Sequence, residues 1–175
     1  MANCGDGRGA AHGADWRFEW RWQDDAGVKR TADAWADSLC QRRQLRALSA
    51  AGESFAFEST LASRAFARFI ADNKALGYRF LLYYVWVPTA DHAVRRVSKR
   101  VLSGGHNVPE ADIRRRHARS ARNLFELYQP LADGWIVFEN PDGRPHQMVA
   151  AGSGLRVHWI GNEEFWNSLR SAGQV

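Results

Sequence analysis

Gly77-Tyr-Arg-Phe-Leu-Leu-Tyr-Tyr-Val-Trp-Val-Pro-Thr89 decides the fold. Its middle, Phe80 to Val87, is the longest apolar stretch of the chain and is rich in aromatic and β-branched residues. That length and composition suit a strand rather than a helix. A continuous apolar run without alternation predicts a strand over Arg79–Val87 buried on both faces, as parallel sheets require. Pro88 and Thr89 end it, and a helix is expected from Ala90 or Asp91.

Upstream, Ser54-Phe-Ala-Phe-Glu58 reads as a short strand with Phe55 and Phe57 on one face. Ser59 or Thr60 suits the cap of a helix over Leu61–Leu76, which Gly77 stops. Before that, Trp35, Leu39, Leu45 and Leu48 recur at helical spacing between Thr31 and Ala51. Downstream, the helix after Thr89 runs to about Leu102 and stops at Ser103-Gly104-Gly105. Pro109 suits the first position of another helix, about Glu110 to Tyr128. Gly134 to Glu139 is a third strand, Asn140-Pro-Asp-Gly143 a turn, and Phe165, Trp166 and Leu169 mark a short final helix. Strands alternating with helices predict an α/β fold, a parallel sheet with flanking helices.

Composition narrows the class. The 175 residues are 45% hydrophobic and 25% charged, which excludes wholesale disorder. No run approaches the ~18 apolar residues of a membrane span. Residues 1–13 have no apolar signal region, so the cytosol is the expected compartment. Cys4 and Cys40 make neither a disulfide framework nor a zinc site, and no metal site of the chain's own is expected. Net charge is +5, unevenly spread. Residues 95–122 hold eight arginines and Lys99 against Glu110 and Asp112, a local +7. Such a field attracts phosphates.

Two groups of residues could carry chemistry. Glu58, Ser59 and Thr60 follow a strand, and ligands of open α/β sheets bind beyond the carboxyl ends of strands. The plain alternative is a solvated carboxylate and a helix cap. Arg95, Arg96 and Arg100 precede the Gly104-Gly-His-Asn-Val-Pro109 loop, and Arg114, Arg115 and Arg116 follow it. Guanidinium forks match phosphate oxygens, and the glycine pair permits a hinge. The plain alternative there is a solvated basic helical face. A nucleic-acid interface is disfavoured, because the stretch has no aromatics for base stacking before Phe125.

Taken in order, Phe55-Ala-Phe-Glu-Ser-Thr-Leu61, Gly77-Tyr78 before a hydrophobic strand, Arg96-Val-Ser-Lys-Arg-Val101, Gly104-Gly-His-Asn-Val-Pro109, Ile113-Arg-Arg-Arg116 and Asn140 after Trp135 resemble the zeta toxin family of P-loop kinases, particularly its chromosomal members. The resemblance covers about residues 50–150. It implies an ATP- and Mg²⁺-dependent kinase acting on a small molecule, a UDP-activated amino sugar such as UDP-N-acetylglucosamine. It also implies restraint by an antitoxin protein. By position, Glu58 and Thr60 would contact substrate. Arg96 and Arg100, with Arg115 or Arg116 from a lid at about 95–128, would contact the triphosphate. The family's base is an Asp after its phosphate loop, and Thr31-Ala-Asp-Ala34 resembles that region, making Asp33 the candidate.

The chain departs from the family at its start. A Walker A loop, G-x-x-x-x-G-K-[ST], holds phosphates with backbone N–H groups and a Lys. None occurs here, and Lys29 is the only Lys before residue 70. Residues 1–27 instead show Gly5, Gly7, Gly9 and Gly13 and then Trp16, Trp20 and Trp22, with no period of 2 or 3.6. Trp has one codon, TGG, so reading one base later turns every Trp into Gly. Gln23 then becomes Lys or Arg, and Asp24 and Asp25 become Thr or Met. Residues 16–25 can thus read Gly-Gly-Ser-Asn-Gly-Ala-Gly-Lys-Thr-Thr, a full Walker A ending on the places of Gln23 and Asp24. The expectation is an aberrant segment over 1–30, read in the wrong frame, before a kinase-like domain over 31–175 incomplete at its N-terminus. Without the loop the kinase is inactive as written. The alternative is a non-catalytic chain that binds an antitoxin or another protein.

Overall fold

A computed structural model describes residues 29–30, 38–141 and 145–174 of the chain. Two strand ladders organise it. The smaller is parallel, β1 (Lys29–Arg30) beside β2 (Phe55–Ala56), with α1 (Ser38–Ala50) between them in sequence. The larger has four strands in the order β3 (Leu81–Trp86), β4 (Gly134–Glu139), β5 (Gln147–Ser153), β6 (Arg156–Ile160). β3 and β4 are parallel, and β5 and β6 add as antiparallel strands. The helices are α2 (Ala65–Ala75), α3 (Ala90–Leu102), α4 (Glu110–Asn123), α5 (Gln129–Leu131) and α6 (Glu163–Gly173). A π-helical turn, Leu124–Tyr128, joins α4 to α5.

The α/β class with helices flanking a sheet is borne out. So are the strand at 134–139, the helix over 90–102 and the stop at Gly77. Gly77 sits at φ +92, where a side chain would be strained, and its N–H bonds Lys74 O while Tyr78 N–H bonds Asn73 O. These bonds close the last turn of α2. Thr89 caps α3 by accepting from His92 N–H.

Three expectations need correcting. The central strand is buried on one face only. Leu82, Tyr84 and Trp86 are buried, whereas Leu81, Tyr83 and Val85 remain about half exposed at 51%, 45% and 47%. The cause is position. Among the described residues β3 is an outer strand, and its buried face is turned to α4 through Tyr84 with Ser120 and Trp86 with His117. The helix expected from Leu61 starts four residues later. Ser59 Oγ accepts from Leu61 N–H and Thr60 Oγ1 from Ala62 N–H, so both hydroxyls build turns rather than a cap. The expected helix over Glu110–Tyr128 keeps its extent, but its last five residues widen into the π turn.

The β5–β6 hairpin is an element the sequence reading did not anticipate. Gly152 permits it, since a Cβ there would lie 2.1 Å from Arg156 O and 2.4 Å from the Trp135 ring. The first part of the helix expected over Thr31–Ala51, and Asp142 and Gly143 of the expected turn, lie outside the described residues.

One core joins the sheet to its helices. Trp135 of β4 stacks on Trp166 of α6 at 5.6 Å and 9°, and Phe125 meets Trp166 edge-on. Val137, Val149, Ala121 and Leu169 are sealed between them. Tyr84 OH pairs with Ser120 Oγ at 2.9 Å inside this core. Burial pushes the Tyr84 hydroxyl far above its usual range, so it stays protonated.

Candidate functional site

The loop from Phe57 to Arg64 carries Glu58 and Thr60, and both side chains are exposed. Its local chemistry explains its shape. Two hydroxyl-led turns at Ser59 and Thr60 delay the helix, and Leu61 follows with φ +55. Among the described residues Leu61 is the one non-glycine with a positive φ. That conformation costs an L residue roughly 1–2 kcal/mol. Burial offsets it, because the Leu61 side chain is 7% exposed and belongs to the core. Two buried donors hold the loop from outside. Asn123 Nδ2 donates to Leu61 O at 2.7 Å, and Tyr128 OH donates to Ser63 O.

A second group gathers at the carboxyl ends of β3 and β4. Asn140 N–H donates to Trp86 O at 3.2 Å, tying the two strand ends together. Arg96 Nη1 then donates to Asn140 O at 3.2 Å, anchoring α3 there. His117 of α4 stacks on Trp86 at 5.5 Å and bonds Val87 O at 2.8 Å. This is the strand end at which ligands of open α/β sheets bind. Of the sequence-predicted residues, Arg96 reaches it directly.

Arg100 lies one turn further along α3. Its Nη2 donates to His106 O at 3.1 Å, and Gly105 N–H donates back to Arg100 O at 2.9 Å. Gly105 is packed so closely that a Cβ would fall 2.5 Å from Arg100 Cγ. The loop after α3 is therefore wrapped on the Arg100 stem rather than loose.

On α4 the arginines divide. Arg114, not singled out above its neighbours by the sequence, bridges Asp91 of α3 (2.6 Å) and Glu110 (2.7 Å). The hydrogen bonds to Glu110 and then Asp91 raise its already high pKa, so it stays charged. Arg115 pairs with Asp112 at 2.6 Å, and Arg116 is half-buried. Both acids of the basic stretch are thus engaged by these two arginines.

The structure does not gather all candidates at one point. Arg96 and Arg100 share a face of α3 by their four-residue spacing. Arg115 and Arg116 stand midway along α4. Glu58 and Thr60 are held from the far end of α4, where Asn123 lies ~12 Å along the axis from Arg115. α4 is therefore the common support of both groups. Asp33 lies outside the described residues. β1 ends three residues before it, and β1 runs parallel to β2, after which Glu58 comes.

Sequence reading missed Asn123, Tyr128 and His117. A signal existed for His117 and Tyr128. Ile113, His117, Ser120, Ala121, Leu124 and Tyr128 recur along α4 and its extension at helical spacing, and the polar members of that stripe face inward.

The residues present do not fit a Mg²⁺–triphosphate. The chain has no Walker A lysine or hydroxyl, and Arg96, Arg100 and Arg115 are turned to Asn140 O, His106 O and Asp112. These residues support no step through a nucleotide. No helix among the described residues is long and apolar enough to cross a membrane.

A family model described as Zeta toxin matches residues 23–143. No curated protein and no solved structure matches the chain.

Proposed function

Since this chain belongs to the zeta toxin family, a family of kinase-like P-loop domains, we propose that it keeps the substrate-binding side of a phosphotransferase and has lost the phosphate-binding side. The observation that carries this reading is where the family match begins. It runs in the given frame from Gln23, which lies inside the segment, residues 16–25, that can read as a Walker A loop one base later. The frame would then be restored near that point.

The proposed substrate is a UDP-activated amino sugar, UDP-N-acetylglucosamine, held by Glu58 and Thr60. A carboxylate and a hydroxyl on an exposed loop suit hydrogen bonds to sugar hydroxyls or amides. In a relative with an intact loop, Asp33 would be the base and Arg96, Arg100 and Arg115 or Arg116 would face the triphosphate. In this chain the phosphates have no amide cradle, no Lys and no Mg²⁺-binding hydroxyl. ATP should bind poorly, and arginines alone cannot set the in-line geometry that transfer requires. The domain spans 31–175, with residues 95–128 as its lid, and the cytosol is its compartment.

The test compares two chains with ATP, Mg²⁺ and UDP-N-acetylglucosamine. The chain as it stands should form no phosphorylated sugar nucleotide. The same chain with Gly-Gly-Ser-Asn-Gly-Ala-Gly-Lys-Thr-Thr at residues 16–25 should form it, and Glu58→Gln in that background should cut turnover. Transfer by the unaltered chain would overturn the proposed loss. Undiminished turnover in Glu58→Gln would remove Glu58 from the site. An antitoxin is the protein partner this family membership suggests. Its capture by a chain that binds no sugar nucleotide would favour a purely protein-binding role.

A further inference from the structure

The π-helical turn Leu124–Tyr128 follows α4 beside the loop that carries Glu58 and Thr60, and its geometry has a use. In an α-helix, residues five apart lie ~140° apart around the axis. The wider turn is closed by Gln129 N–H on Leu124 O. It reduces that angle and lets Asn123 and Tyr128 reach the same neighbouring segment. Asn123 is 5% exposed and Tyr128 is fully buried. The first donates to Leu61 O and the second to Ser63 O. Between those carbonyls the backbone leaves the positive φ of Leu61. Asn123 and the inserted turn thus pin the loop at its strained residue and two residues beyond it, in a stretch with no regular secondary structure of its own. Inserted π turns recur at functional sites, and backbone strain persists only where its surroundings over-determine it.

We infer that Asn123 and Tyr128 are positioning residues, by which the π turn holds the Leu61 bend and so presents Glu58 and Thr60. The inference rests on the reading of that loop as the sugar-nucleotide contact. The Tyr128 hydroxyl suits the task because burial raises its pKa to about 12, leaving it a donor at every physiological pH. Asn123 does not titrate, so the clasp has no pH dependence below that range.

The test uses the full chain with Tyr128→Phe, which removes one hydroxyl, and Asn123→Leu, which removes the amide at similar volume. Two quantities are measured: amide exchange at residues 58–63 against Val137 and Val149 of the core, and the dissociation constant for UDP-N-acetylglucosamine by calorimetry. Both variants should speed exchange at 58–63 about tenfold and weaken binding about tenfold, with core exchange unchanged. Unchanged exchange at 58–63 in both variants overturns the clasp, whether or not the sugar nucleotide binds. Faster loop exchange with unweakened binding overturns the positioning role. Faster loop exchange in a protein that never binds the sugar nucleotide supports the clasp and instead overturns the substrate reading. Should Asn123→Leu fail to fold, Tyr128→Phe decides alone.

Discussion

Beside the six paired positions of β3 and β4, from Leu81↔Gly134 to Trp86↔Glu139, the β1–β2 ladder has two, Lys29↔Phe55 and Arg30↔Ala56. Both ladders are parallel, and their support differs. The larger gains two more strands, and α4 and α6 cover its face of Leu82, Trp86, Trp135, Val137 and Val149. The smaller leans on α2 and the turn after it through Phe55 with Phe69 and Tyr78, at 6.0 and 5.8 Å, and Phe57 with Phe66 at 5.0 Å. An isolated two-stranded ladder is marginal in water. The comparison teaches that the part of the chain nearest the missing phosphate loop is the part least able to stand without it. The half that holds Arg96 and Asn140 supplies most of the buried core, against which Phe57 and Phe66 also pack.

Substitutions in the two halves should therefore differ in size. Trp166→Ala removes the ring that stacks on Trp135 and meets Phe125, and should cost about 3–5 kcal/mol in chemical unfolding. Phe55→Ala should cost about 2 kcal/mol, because the ring is half-buried and its partners can close in. Its effect should show first as faster amide exchange in β2 and α2, with β4 and β5 unchanged. A global loss as large as that of Trp166→Ala would break the comparison, since it would make the small ladder part of the main cooperative unit.

Smaller changes sharpen it. Tyr84→Phe leaves Ser120 Oγ without its partner inside the main core and should cost about 1 kcal/mol. Asp133 offers a titration at the joint between α2 and β3. Lys74 Nζ at 2.5 Å, and then Phe80 N–H at 2.7 Å, hold its carboxyl below the usual carboxylate range. A lowered folded-state pKa adds stability above the unfolded value, and that stability is lost as pH falls through the folded value. Asp133→Asn should thus cost at most about 0.5 kcal/mol at neutral pH, since the pair is largely exposed. The difference from the parent should begin to shrink below about pH 4 and vanish only below the lowered folded value, as thermal melts across that range will read.

Much of the architecture was legible in particular residues. Gly77 ends a helix because only glycine enters its backbone region without strain. Thr89 caps the next helix because its hydroxyl can reach a free N–H one turn on. The β5–β6 hairpin was not legible. Gln147-Met-Val-Ala-Ala-Gly-Ser153 mixes small apolar and polar residues without a clear period of two. What makes it a strand is the pairing with β4 and the ring of Trp135 above Gly152. The apolar run Phe80–Val87 announced a strand and misstated its burial. Sequence shows that side chains are apolar, and only neighbours decide whether a face is covered.

The candidate site divides in the same way. The order of Glu58, Thr60, Arg96, Arg100, Arg115 and Arg116 and the absence of a G-x-x-x-x-G-K-[ST] motif are properties of the sequence alone. They are matters of residue type and spacing along one dimension. That Arg96 lands on Asn140, that Arg114 clamps α3 to α4, and that Asn123 and Tyr128 grip the loop bent at Leu61 were decided by the tertiary structure. Those partners lie between 23 and 65 residues apart in the chain. No local pattern encodes such a meeting, because it exists only once the core has set where the helices lie.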